Sequence, residues 1–210
     1  EAAAVLNINY QVNAKGVLSV SQELVADTAA KVSVTMPSRG GEQTTMENVP
    51  MLPRFGMKMV LPEGFETVEY YGNGPFENYQ DRNYAAHAGI YEQSVAEQFY
   101  PYIRPQETGN KTGVRWFKLL NKKGKGVEIT SSETPLSMSA LHFLDSDLST
   151  GDEKKQAHAG ELKPRKQTQL HIDYAQMGLA GVDSWGTWPL EQYRLDFKDY
   201  KYIYIIKPLY

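Results

Sequence analysis

The feature that most constrains this chain is a run of strict two-residue alternation near its start. Leu6, Ile8, Tyr10 and Val12 fall on every second position, which puts them on one face of an extended strand and on no single face of a helix. Asn13-Ala14-Lys15-Gly16 then supplies turn chemistry before Val17-Leu18-Ser19-Val20, so the two runs predict a β-hairpin. Strand-like runs recur at residues 55–61, 67–71, 88–95, 114–120, 126–130, 136–143, 168–174 and 200–206, each bounded by Gly, Pro, Asn or Asp. Helical signals are sparse: residues 78–84 can form one turn, and 148–162 a short helix opened by Ser149 or Asp152. Pro37, Gly40, Gly41, Pro50 and Pro53 interrupt any period between 36 and 53, which predicts a loop or connection there. Without strand–helix alternation or an internal repeat, a parallel α/β sheet is disfavoured. The expected fold is all-β, a large antiparallel β-sandwich of two sheets with long loops at its rims.

A chain of 210 residues is long enough for one large sandwich domain. Its 41% hydrophobic and 22% charged content permits a packed core and argues against wholesale disorder. The 14 tyrosines and three tryptophans suit strands, and equally suit stacking on sugar rings. A net charge of -3 argues against nucleic acid as a partner, because phosphate binding needs a surplus of Lys and Arg. Lys122, Lys123 and Lys125 do cluster, but around Gly124 and between apolar runs, as in a solvated hairpin loop. With no cysteine there is neither a disulfide framework nor a thiolate metal site. No apolar run approaches the roughly 20 residues of a membrane span, so no membrane partner is expected. The start, Glu1-Ala-Ala-Ala-Val5, has neither an initiator Met nor the pattern of a signal peptide, and a piece of a longer polypeptide is expected.

More specific are several short segments. Leu52-Pro53-Arg54-Phe55-Gly56-Met57 precedes Tyr71-Gly72-Asn73-Gly74-Pro75, Glu77-Asn78-Tyr79 and Asp81-Arg82. Then come Pro101-Tyr102-Ile103-Arg104-Pro105-Gln106-Glu107, Gly109-Asn110, Val114-Arg115-Trp116, Gln176-Met177-Gly178 and Asp183-Ser184-Trp185-Gly186. In this order they resemble the signature stretches of the C-terminal domain of bacterial β-galactosidases of glycoside hydrolase family 2. Residues 1–50 match more loosely and read as a leading hairpin and connection within the same domain, with 51–210 as the sandwich proper. The resemblance implies a supersandwich similar to galactose mutarotases. It implies a parent that hydrolyses terminal β-galactosides with retention, using two Glu residues of a preceding (β/α)₈ barrel, with Mg or Na ions on the barrel side. Expected partners are a β-galactoside or galactose and the parent's barrel, in a homo-oligomeric parent. No catalytic residue, cofactor or metal ligand is expected in this chain. Cytoplasmic and periplasmic locations both stay open.

Trp185 is the foremost candidate for a sugar contact. The resemblance implies that the Trp of Asp-Ser-Trp reaches the barrel's active site, where an indole face can pack on the apolar face of galactose. The alternative is a core Trp, against which Gly181, Asp183, Gly186 and Pro189 argue by placing it in a loop. Trp188 is a second candidate. Arg104, Gln106, Glu107 and Asn110 concentrate donors and acceptors suited to hydroxyls, or else brace the sheet edge. Glu107 with His142 or His171 is the nearest imitation of a mutarotase acid–base pair; His87 and His158 carry no pattern. Residues 145–151 only partly imitate a calcium loop, since Thr150 and Gln156 stand where Gly and Glu are required, and they read as a solvated loop or helix cap. An independent carbohydrate-binding module, an aldose mutarotase or epimerase, and a purely structural buttress are the rival readings.

Overall fold

The computed structural model describes residues 3–38, 41–49, 51–131, 133–151, 155–183 and 186–210. The predicted hairpin is β1 (Ala4–Val12) and β2 (Leu18–Ala26), paired from Ala4–Ala26 to Val12–Leu18. It forms one edge of a seven-stranded antiparallel sheet. Inward from β2 lie β13 (Tyr200–Leu209), β10 (Gly126–Ser131), β9 (Trp116–Asn121), β6 (Phe65–Gly74) and β7 (His87–Ser94), in that order. A second sheet runs β5 (Arg54–Leu61), β12 (Thr168–Gln176), β11 (Leu136–Leu141), β8 (Lys111–Val114), again antiparallel throughout. The all-β sandwich expected from the alternating runs is the architecture observed.

Four expectations need correction. Residues 36–53 were expected to be a connection, yet β3 (Lys31–Ser38) and β4 (Gly41–Asn48) pair as a separate hairpin. Val32 and Val34 sit opposite Glu47 and Thr45, so the second strand is polar and carries no apolar period. The single strand expected at 114–120 is two strands in different sheets, with Arg115 as the switch between β8 and β9. No long helix occupies 148–162 among the described residues. Instead α1 is one turn, Asp145–Leu148, whose Leu144 N–H donates to Asp147 Oδ2 at 2.8 Å, and Ala159–Glu161 is a 3₁₀ turn. The turn expected at 78–84 is a tight β-turn, with reciprocal main-chain bonds between Tyr79 and Arg82.

The core lies between the sheets. Along β13 the alternating Tyr200, Tyr202, Tyr204 and Ile206 are buried, and their hydroxyls still find partners. Tyr202 donates to Ile172 O at 3.0 Å in β12, and Tyr204 to Met57 Sδ at 2.9 Å in β5. Phe55 meets the Tyr202 ring edge-on at 5.4 Å. These contacts set β5 and β12 over β13. At the other end, Val114 of β8 lies against Gly72 of β6. The smaller sheet therefore stops short of β1. Leu6, Ile8, Tyr10 and Val12 share the inner face with the buried Val20 of β2, yet remain 48%, 43%, 57% and 70% exposed.

Candidate functional site

The quoted sequence segments converge on one rim of the sandwich. Leaving β6, the chain enters the turn at Glu77–Arg82, whose side chains serve as struts. Asn78 is fully buried and uses its whole amide. Its Nδ2 donates to Asn73 O and Phe76 O, and its Oδ1 accepts from the Thr112 N–H at 2.9 Å. Main-chain Asn78 and Asn110 exchange bonds too, through the Asn110 side chain on one side. Glu77 accepts from the Gly109 N–H at 2.7 Å and from Arg82 Nη2 at 2.7 Å, and also holds the Tyr102 hydroxyl.

Two residues of the same turn grip the start of the loop that contains the Asp-Ser-Trp stretch. Gln80 Nε2 donates to Gln176 O at 2.6 Å and Tyr193 O at 2.9 Å. Asp81 Oδ2 accepts from the Ala180 N–H at 2.8 Å, which fixes Ala180 at φ 55° in the left-handed region. A Cβ on Gly178 would sit 2.6 Å from Asp81 Cγ, so glycine there permits the approach. On the far side, Gly178 N donates to Tyr193 O at 2.7 Å and Arg194 Nε to Pro189 O at 2.8 Å. Both ends of the loop are thus tied to one turn and to each other. Val182, Trp188 and Leu190 stand 81%, 54% and 65% exposed on it. Ser184 and Trp185 lie outside the described residues. Beside the loop, Phe76, Arg82, Tyr84, Tyr100 and Tyr102 line an open cleft of about 530 Å³.

Beneath this rim, on the outer face of the smaller sheet, lies an ionic cluster that is buried at Asp173 and His171 and opens to solvent at Lys58 and Asp145. Arg54 reaches Glu107 Oε2 at 2.8 Å and Asp173 Oδ2 at 3.1 Å. Arg54 Nη1 also lies 2.5 Å from His171 Nδ1, and His171 Nε2 lies 2.9 Å from Asp145 Oδ1. Lys58 closes the chain on Asp145 Oδ2 at 2.9 Å. Burial pushes the Asp173 carboxyl up to about 7 and also raises Glu107, because the attraction of Arg54, with a smaller one from His171, offsets the lost hydration only in part. Hydrogen bonds from His171 and Lys58 hold Asp145 below the ordinary carboxylate range against a smaller opposing effect of burial. Gly56 belongs to this cluster by necessity, since a Cβ there would fall 1.9 Å from Asp173 Oδ1.

The predicted contact residues therefore divide. Arg104 is exposed, with Nε 3.4 Å from His158 Nε2, and Gln106 is exposed beside it. Glu107 and Asn110 are drawn inward: Glu107 onto Arg54, Asn110 onto Asn78 and the Ser137 hydroxyl. His171 shares the cluster with Glu107, but Arg54 lies between them, while His142 pairs with Glu66 at 2.9 Å and Gln167 O at 3.1 Å. Sequence reasoning missed the roles of Gln80, Asp81, Arg54 and Asp173. All but Asp173 stand in or beside the quoted segments, yet their partners are distant in the chain.

A family model described as the β-galactosidase small chain matches residues 1–206. The chain belongs to the β-galactosidase small-chain family. Among its relatives, the β-galactosidase of Lactobacillus delbrueckii subsp. bulgaricus is 37% identical over 196 residues, 93% of this chain and 18% of its own length. That of Priestia megaterium is 35% identical over 164 residues, 78% of this chain and 15% of the relative. That of Halalkalibacterium halodurans is 33% identical over 179 residues, 85% and 17% respectively. The small-chain domain thus spans less than a fifth of these relatives.

Proposed function

We propose that this small-chain domain completes a retaining β-galactosidase, with the loop of residues 181–190 lending Trp185 as one wall of the galactose subsite. The barrel that carries the two catalytic Glu residues, and any Mg or Na ion, belongs to the rest of that enzyme. The observation that carries this reading is a loop held at both ends by the Gln80–Asp81 turn while Val182, Trp188 and Leu190 stay exposed on it. A rigidly rooted loop with outward apolar side chains is suited to meeting another surface. Trp188 and Arg104, exposed on this side of the domain, are the secondary sugar contacts. Retaining hydrolysis needs two opposed carboxylates about 5 Å apart. Glu107 and Asp173 are instead committed to the same guanidinium, which supports placing the chemistry elsewhere. One indole wall contributes on the order of a few kcal/mol of apolar contact, against the roughly 8 kcal/mol or more by which enzymes lower barriers. Alone, the domain does not hydrolyse galactosides.

In the complete galactosidase, Trp185→Ala is expected to lower kcat/KM by about 10- to 100-fold, with an unchanged melting temperature. The 210-residue chain is expected to show no turnover, and at most weak quenching of Trp fluorescence by galactose. Unchanged kinetics in the variant would sink the wall. Tight saturable binding or turnover by the chain alone would transfer the assignment to a binding module or a mutarotase.

A further inference from the structure

We infer that the cleft where β8, β11 and β12 meet the Glu77–Arg82 turn is a binding site for one neutral pyranose sugar. The inference goes beyond the reading of Trp185 as a sugar wall and does not rest on it, because it concerns other residues and is tested without hydrolysis.

The cleft holds about 160 Å³, room for about five waters at their share of the liquid, or for one sugar ring that displaces them. Asn110 and Thr112 line it at the start of β8, Ser137 in β11, Tyr174 and Gln176 in β12, and Gln80 in the turn that grips the loop after β12. Three observations select the ligand. First, none of the described residues that line the cleft is Asp, Glu, Lys, Arg or His. A phosphate, a carboxylate, an amine or a metal ion would lose its hydration there and meet no opposite charge. Second, the lining consists of amides and hydroxyls beside the carbon surface of Leu136, Ala175 and Tyr174. Neutral groups that donate and accept, set around an apolar patch, match the hydroxyls and C–H face of a pyranose; waters alone would leave the apolar patch wet.

Third, hydrogen-bonding capacity is left over. Gln176 Oε1 is buried with no partner. The Tyr174 ring packs against Phe55, Tyr200 and Tyr202, while its hydroxyl makes no hydrogen bond among the described residues. Groups stranded at a cavity wall call for a partner from outside the chain, and a sugar hydroxyl can serve both. The remaining groups are already fixed. Ser137 Oγ donates to Asn110 Oδ1 at 2.8 Å, Asn110 Nδ2 donates to Asn78 O at 2.8 Å, and Gln80 Nε2 holds the Gln176 and Tyr193 carbonyls. A site formed before its ligand arrives loses little of its contact energy to ordering.

The test follows amide exchange of the complete galactosidase during titration with D-galactose and D-glucose, with glycerol at equal hydroxyl concentration as the ringless control. A hexose is expected to slow exchange in residues 110–114 and 174–176 by at least about threefold, with half-saturation in the millimolar range. Glycerol should not. Tyr174→Phe keeps the packed ring, removes only the hydroxyl, and should raise the half-saturating concentration about 2- to 10-fold. Pro135→Trp sets a ring at the exposed mouth and should abolish the protection, whereas Thr134→Trp, exposed and outside the lining, should keep it. The inference is overturned if neither hexose protects these segments, if glycerol protects them equally, or if both Pro135→Trp and Tyr174→Phe respond as wild type. Protection that disappears in Trp185→Ala would be relayed from the sugar wall and would also overturn it. Protection that survives Trp185→Ala supports the cleft, whatever that variant does to hydrolysis.

Discussion

A carboxylate buried beside a single guanidinium holds its charge poorly, and Asp173 is the clearest case in this domain. Among the described residues neither oxygen has a hydrogen-bond donor, and Arg54 Nε approaches to 3.1 Å. Its folded-state pKa, pushed up to about 7 by burial, exceeds the unfolded value. The native state therefore binds the extra proton, and this contribution to stability is complete below about pH 4 and lost as pH rises toward 7. Urea melts from pH 4.5 to 7.5 should show stability falling, with a slope that can approach about 1.4 kcal/mol per pH unit for one proton. Asp173→Asn should flatten that slope without abolishing it, because Glu107 is raised as well; an unchanged slope would contradict the assignment. Asp145, held low, acts in the opposite sense and only in more acidic solution. Arg54 and Gly56 were legible as members of a segment, but not as neighbours of Asp173. Only the β5–β12 register, which sets Gly56 opposite Asp173, makes them so.

At the scale of elements, the Glu77–Arg82 turn and the loop after β12 form one mechanical unit although far apart in sequence. Asp81→Ala removes the acceptor for the Ala180 N–H, at a stability cost of about 1–2 kcal/mol. It is expected to speed protease cleavage within residues 179–190 by about tenfold while the sheets stay folded. Equal cleavage rates in variant and wild type would show that Gln80 and Tyr193 suffice to hold the loop. Alternation made β1, β2, β5 and β13 readable, since each has one face in or toward the core. The β3–β4 hairpin escaped because it packs as a lone pair whose second strand is polar, and the β8–β9 break escaped because a one-residue change of sheet at Arg115 leaves no compositional mark.

For the molecule as a whole, that sheet change and the main core shared by both sheets, with a smaller cluster of Leu141, Phe143 and Leu148 beside it, imply cooperative unfolding. Far-ultraviolet circular dichroism and tyrosine fluorescence should trace one coincident transition in denaturant, with only the β3–β4 amides exchanging earlier; two separated transitions would mean the sheets are independent. The sandwich class was legible from the sequence, whereas the shortfall of the smaller sheet was not. An alternating strand declares which of its faces is apolar and says nothing of what stands opposite. The neutral, proline-free β1 has a practical consequence for anyone preparing the domain by itself. Such an edge is a template for like strands, so at high concentration the isolated chain is expected to associate into β-rich aggregates.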